Sequence, residues 1–135
     1  MHILIDVQGY QSESKVRGIG RSTLAMSRAI IENAGEHRVS ILINGMYPID
    51  NINDVKMAYR DLLTDEDMFI FSAVAPTAYR HIENHGRSKA AQAARDIAIA
   101  NIAPDIVYVI SFFEGHSDSY TVSICRQMKR LPNIC

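Results

Sequence analysis

Four short apolar runs, rich in β-branched and aromatic residues, recur along this chain, with polar breaks and helix-period segments between them. The runs are HILIDV (2–7), RVSILIN (38–44), MFIFSAV (68–74) and DIVYVISFF (105–113). Each reads as a strand buried in a sheet. The first intervening helix is predicted over 20–34, where Leu24, Ser27, Ile31 and Ala34 share one stripe with Ile30 beside it. Gly35 closes it. The second runs over 54–63 with Val55, Met57, Ala58 and Leu62, and the third over 88–102 is alanine-rich and free of glycine. A fourth is predicted over 119–130, after which RLPNIC begins another strand. Such alternation predicts a mainly parallel sheet covered on both faces, a three-layer doubly wound α/β fold. Ligands of such folds lie beyond the carboxyl ends of the strands, here loops 8–20, 44–53, 74–79 and 112–118.

The 135 residues make one domain, and 47 % hydrophobic against 21 % charged residues suits a packed core. A net charge of −1 argues against a general polyanion binder, so nucleic acid is not an expected partner. Cys125 and Cys135 form no C-x-x-C pair and read as reduced thiols of a cytosolic protein. MHILIDVQG has no basic leader before an apolar core, and no apolar run approaches the ~20 residues of a membrane span. The expected location is cytoplasmic, with peripheral contact at the inner face of the membrane left open. A doubly wound sheet usually has more than four strands, so the abrupt stop after RLPNIC reads as a truncation before the remainder of the domain, the alternative being a small domain with a ragged tail.

The stretch VRGIGRSTL (16–24) carries the sharpest chemical signal. Gly18 and Gly20 follow a strand and precede a helix, where glycine lets another group approach the backbone. The first helical turn offers free N–H groups and the positive end of the dipole, a natural anion site. Lys15, Arg17 and Arg21 cluster there in an otherwise nearly neutral chain. A cation in that turn costs roughly 0.3–1 kcal/mol against the dipole. A charge-assisted bond to bound phosphate contributes about 1.5–3 kcal/mol. The bland alternative is a solvated cationic patch with glycines serving as turn residues.

Common nucleotide motifs do not fit. G-x-x-x-x-G-K-[ST] is absent, and the third glycine position of a dinucleotide fingerprint is Thr23. The second strand ends in Asn44 rather than an acid that would hold a ribose. A receiver domain would need adjacent acids after the first strand and another after the third, where Val7 and Ala73–Ala75 stand.

The stretch DVQGYQSESKVRGIGRSTLAMSRAI (6–30) resembles the N-terminus of retaining glycosyltransferases of family 4. It is most similar to the bacterial branch that builds surface polysaccharides, often with mannose. SFFEG (111–115) resembles that branch's segment after the fourth strand. The resemblance implies the N-terminal half of a GT-B fold, two Rossmann-like domains facing across a cleft. It implies a nucleotide-sugar donor such as GDP-mannose, a saccharide or glycolipid acceptor, and no further cofactor or metal. It places Gly18, Gly20, Arg21 and Arg17 against the donor phosphates. Gln8, Gly9 and Gln11 would line the cleft, and Glu114, Gly115 and His116 its acceptor side. Family members continue into a His-Asp loop, a pair of glutamates and a donor-binding domain. None of these occurs in this sequence, so the chain alone is expected to be inactive, partnered by the missing C-terminal domain or self-associating through an exposed flank.

Other constellations read more plainly. His81 and His85 stand one turn apart without the H-E-x-x-H pattern or a third ligand. Asp6 ends the first strand and is expected to orient loop 8–20 by accepting backbone N–H bonds. His116 and Asp118 are candidates for positioning an acceptor hydroxyl. Met46, Tyr47 and Pro48 form an apolar tip, which the resemblance implies would face the acceptor or the membrane surface; a turn packing on the helix at 54–63 is the alternative. Arg126, Lys129 and Arg130 make a basic helix end that favours the dipole. A stand-alone nucleotide- or phosphate-binding module without catalysis is the alternative function.

Overall fold

The computed structural model describes residues 1–112, 114–123 and 133–134. Among the described residues, five strands form one sheet in the order β3-β2-β1-β4-β5. They are β1 (His2–Asp6), β2 (Arg38–Asn44), β3 (Met68–Phe71), β4 (Ile106–Val109) and β5 (Asn133–Ile134). Every pairing is parallel, from His2 against Arg38 to Val107 against Ile134. Helices α1 (Gly18–Glu32), α2 (Ile49–Tyr59) and α3 (His85–Ile102) make the crossovers. The chain therefore winds outward from β1 to β3, then returns through α3 to β4 on the other side of β1. The result is the doubly wound, Rossmann-like α/β arrangement expected, with its reversal of direction between β1 and β4.

Side-chain alternation along the strands divides the core in two. Ile5, Val39, Ile41 and Ile43 face α1 and α2, where they meet Leu24, Ile30, Ile31, Ile52, Val55 and Tyr59. Leu4, Leu42, Phe71, Val107 and Val109 face the other way, onto Ala98, Ile99 and Ile102 of α3. The Tyr59 hydroxyl is 2.6 Å from Ser27 Oγ, which ties α2 to α1, and burial pushes that phenol up to about 12.

The expected element bounds shift for identifiable reasons. β3 and β4 stop at Phe71 and Val109, because their neighbours β2 and β1 end opposite them at Asn44 and Asp6. Helix α1 begins at Gly18 rather than Gly20, with Arg17 as the flanking residue in extended conformation. Helix α2 begins at Ile49 rather than 54: Pro48 sets the entry, and Asp50 in the first turn complements the dipole. α3 begins at His85 rather than 88. Residues 119–123 are not helical. Their backbone groups bond instead to side chains at the strand ends, Ser119 O to Asn44 Nδ2 and Thr121 N to Gln8 Oε1. The rest of that predicted helix, with Arg126, Lys129 and Arg130, lies outside the described residues, as do Cys125, Cys135 and the flank beyond β5.

One buried ion pair crosses the layers. Arg95 of α3 is 1 % exposed and Asp6 at the end of β1 is 0 % exposed. Arg95 donates to Asp6 Oδ2 from Nε at 3.0 Å and from Nη2 at 2.7 Å. Its Nη1 donates to Ser123 O and Ser123 Oγ at 3.3 and 3.2 Å. A buried charge stripped of its partner typically costs about 3–5 kcal/mol. Urea denaturation of Arg95→Met should therefore show a loss of about that size, near the whole stability of a marginal domain. A loss under about 1 kcal/mol would show that the pair does not hold these layers together.

The glycines before α1 have different reasons. A Cβ on Gly20 would collide with the backbone of Lys15, which lies directly against it, whereas a Cβ on Gly18 meets nothing within 4 Å. Gly20→Ala should destabilise by about 1–3 kcal/mol through overpacking. Gly18→Ala should be neutral or stabilising by up to about 1 kcal/mol, as alanine for glycine in a helix allows. Equal costs at the two positions in thermal denaturation would refute this division.

Candidate functional site

The carboxyl ends of β1 and β4, where the winding reverses, are the expected ligand edge. The chain leaving β1 turns through a short 3₁₀ turn, Gln8–Tyr10, stitched down by buried polar side chains. Gln8 is 0 % exposed. Its Nε2 donates to both Asp6 carboxylate oxygens at 3.0 and 2.9 Å and to Thr121 O at 2.8 Å. Its Oε1 accepts from Thr121 N and Asn44 Nδ2, both at 2.8 Å. Asp6 Oδ1 also accepts the Gln8 backbone N–H at 3.1 Å, the loop-orienting bond expected of it. Gln11, 2 % exposed, donates to Asn44 O and Asn51 Oδ1 and accepts from Asn44 N. Gly9 is buried where a Cβ would strike Thr23 of α1, so its smallness lets loop and helix close together. Gln8, Gly9 and Gln11, expected along the cleft, are buried, and the two glutamine side chains bond to the protein's own groups.

The rim above them is cationic. Among the described residues, the Gly18 and Ile19 N–H groups have no acceptor, and α1 has neither a capping side chain nor an acid in its first turn. The Gly20 N–H reaches Ser14 O at 3.3 Å and the Arg21 N–H reaches Arg17 O at 3.1 Å. Two amides of the loop are therefore taken by the protein and two are open. Arg17, the flanking residue, and Arg21, in the first turn, are exposed and pair with no acid among the described residues. Lys15 does not join them: its Nζ is 2.9 Å from Asp54 Oδ2 and 4.9 Å from the centre of the Tyr10 ring.

A cavity of about 240 Å³ opens between the loop after β4 and the first turns of α3. Glu114, Gly115 and His116 line it together, with Ser88 and Gln92 from α3 and Phe112 and Tyr120 from the loop; none of residues 17–21 does. The loop backbone is fixed by several bonds. Gly115 has φ +96°, and a Cβ there would strike the Tyr120 carbonyl. The carbonyls of Gly115 and His116 accept from the N–H groups of Tyr79 and Arg80 at 3.0 and 2.9 Å. The Tyr120 hydroxyl donates to Ser111 O at 3.0 Å, and burial pushes its pKa well up. Asp118 accepts its own loop's Tyr120 N–H at 3.1 Å. Tyr47, of the apolar tip, turns its hydroxyl inward to a buried position. His85 stacks on Tyr79, ring centres 4.1 Å apart, and His81 lies 3.7 Å from Glu83.

Sequence reasoning missed Arg95, Ser88 and Gln92. For Ser88 and Arg95 the signal was available in α3, whose inward stripe runs Ser88, Ala91, Arg95, Ile99. A hydroxyl and a guanidinium on a face that should be apolar mark a polar task.

No protein-family profile matches the chain, and no solved structure does. Two curated relatives, both called serotype-specific mannosyltransferase WbdA of Escherichia coli, match it closely. One is 99 % identical over 124 residues, 92 % of this chain and 15 % of the relative. The other is 94 % identical over 99 residues, 73 % of this chain and 12 % of the relative. The chain thus spans about 15 % of the length of a curated glycosyltransferase, and the portion it matches is N-terminal.

Proposed function

We propose that this chain is the acceptor-side, N-terminal part of a GT-B glycosyltransferase that moves mannose from a nucleotide-sugar, GDP-mannose, to a growing polysaccharide or glycolipid. The observation that carries the reading is the 99 % identity to the N-terminal part of a mannosyltransferase. The rim supplies a physical basis. Transfer from a nucleoside diphosphate builds negative charge on the leaving phosphate as positive charge develops on the sugar. Fixed N–H groups and guanidinium groups aimed at that position stabilise it without a metal. Gly18 and Ile19 offer the open amides, Gly18 leaves room for close approach, and Arg17 and Arg21 supply charge.

Glu114, Gly115 and His116 stand on the acceptor side of this reading. Half a cleft retains such groups but cannot hold two substrates in line, which is a large part of the catalytic advantage. The chain alone is therefore inactive and depends on a donor-binding domain. No helix of the described residues is long and apolar enough to cross a membrane. A glycolipid acceptor would be met at the membrane surface, and Ile49, 66 % exposed beside Pro48, offers an apolar contact there.

Calorimetric titration of the chain with GDP tests the phosphate assignment. Arg21→Ala should weaken binding about tenfold, the low end of a charge-assisted bond because the site is open to water. Raising the salt should weaken it further. Equal affinities for wild type and Arg21→Ala would remove the assignment. Sugar transfer by the chain alone would overturn its dependence on a second domain.

A further inference from the structure

We infer that the cavity beside α3 is a subsite for one neutral pyranose ring of the acceptor, read by Ser88, Gln92 and Glu114. The inference rests on the acceptor-side reading above and adds to it the residues and the ligand chemistry. Among the described residues, the side chains of Gln92, Glu114 and Ser88 make no hydrogen bond to the protein, although all three line the cavity. An amide, a carboxylate and a hydroxyl converge there with their donors and acceptors unspent. Vicinal hydroxyls, each a donor and an acceptor, match that set. Phe112, Tyr120 and Tyr79 supply apolar wall for the C–H face of a ring, the mixture typical of small-molecule sites.

Charge separates this cavity from the rim. Among the described residues, its lining holds one carboxylate, Glu114, and one imidazole, His116, with neither lysine nor arginine. A phosphate would meet repulsion from Glu114, whereas a neutral polyol would not. Size points the same way: about 240 Å³ falls below the usual range for drug-sized ligands and suits one ring rather than a chain. The walls are also set in advance. Tyr79 stacks on His85, Tyr120 is tied to Ser111, and Thr121 is clasped by Gln8. A ligand entering therefore orders little of the protein, which favours binding of a small weak ligand.

The probe is methyl α-mannoside, titrated into the isotopically labelled chain and followed by amide and side-chain NMR shifts. Saturable shifts are expected at Ser88, Gln92 and Glu114, with a Kd on the order of millimolar. Gln92→Ala and Glu114→Gln should each weaken binding about tenfold. Gln92→Glu, close in size, guards against loss of fold, and each variant is accepted only if its other amide shifts are unchanged. Pyrophosphate at saturation should leave the mannoside titration as it was. No saturable binding by the folded wild type, unchanged affinity in the folded variants, or displacement by pyrophosphate would each overturn the proposal. Failure of GDP to bind while mannoside binds through Gln92 would sink the phosphate assignment and leave this subsite standing.

Discussion

The Asp6 carboxylate is fully enclosed, and the arrangement of the ligand edge follows from how its charge is met. Arg95 reaches it from the far layer with two N–H groups, and Gln8 reaches it from the loop above with two more. Desolvating both ions is expensive, and attraction offsets that cost only when the remaining hydrogen-bonding positions are filled. Here they are filled by residues from separate segments. Ser123 takes the spare guanidinium N–H, and Thr121 and Asn44 complete the Gln8 amide. A displacement of any one of these segments strands a buried polar group, so the network fixes their relative positions.

That network lies under both parts of the candidate site. Gln8 begins the loop that leads to Gly18 and the arginines. Through Thr121 it also holds the segment that walls the cavity. The rim and the cavity differ in charge and share no lining residue, yet both stand on the same buried amide. In the proposed reading an anionic diphosphate and a neutral sugar are held in fixed relation, since misplacement by about 1 Å can cost two orders of magnitude in rate. One polar floor beneath two chemically opposite surfaces is a direct way to keep that relation.

Much of the fold was legible because its signals are local. RVSILIN became β2 with the bounds read from its apolar run, and the strand–helix alternation set the doubly wound order. What failed to show was whatever depends on a distant partner. The apolar run after Phe71 reads on to Val74, but a ladder ends where the neighbouring strand ends, and no sequence window contains that neighbour. GMYPIDNIN looks like turn chemistry, yet Pro48 and Asp50 also open a helix well. Residues 119–123 are helical in pattern, but Asn44 and Gln8 claim their backbone groups across more than 70 residues of chain. At the site, glycine and arginine were visible as types. Gly20 proves to be needed by Lys15's backbone and Gly18 by no atom of the fold, a distinction only three-dimensional contact makes.

Arginine at the start of α1 opposes the helix dipole, and the structure does not relieve it. Arg28, Arg38 and Lys15 each find a carboxylate within 3 Å. Arg17 and Arg21 find none among the described residues, and the first turn carries no acid to soften the field. Two open amides lie between them in the chain, one of them on a glycine that no packing requires. Each feature alone costs stability: an uncapped turn, a helical glycine, a cation in the first turn against the dipole. A diphosphate would answer all three at once, capping the amides, using the room at Gly18 and neutralising the arginines. That economy is the physical reason for reading the rim as a place where an anion arrives, rather than as an ordinary wet surface.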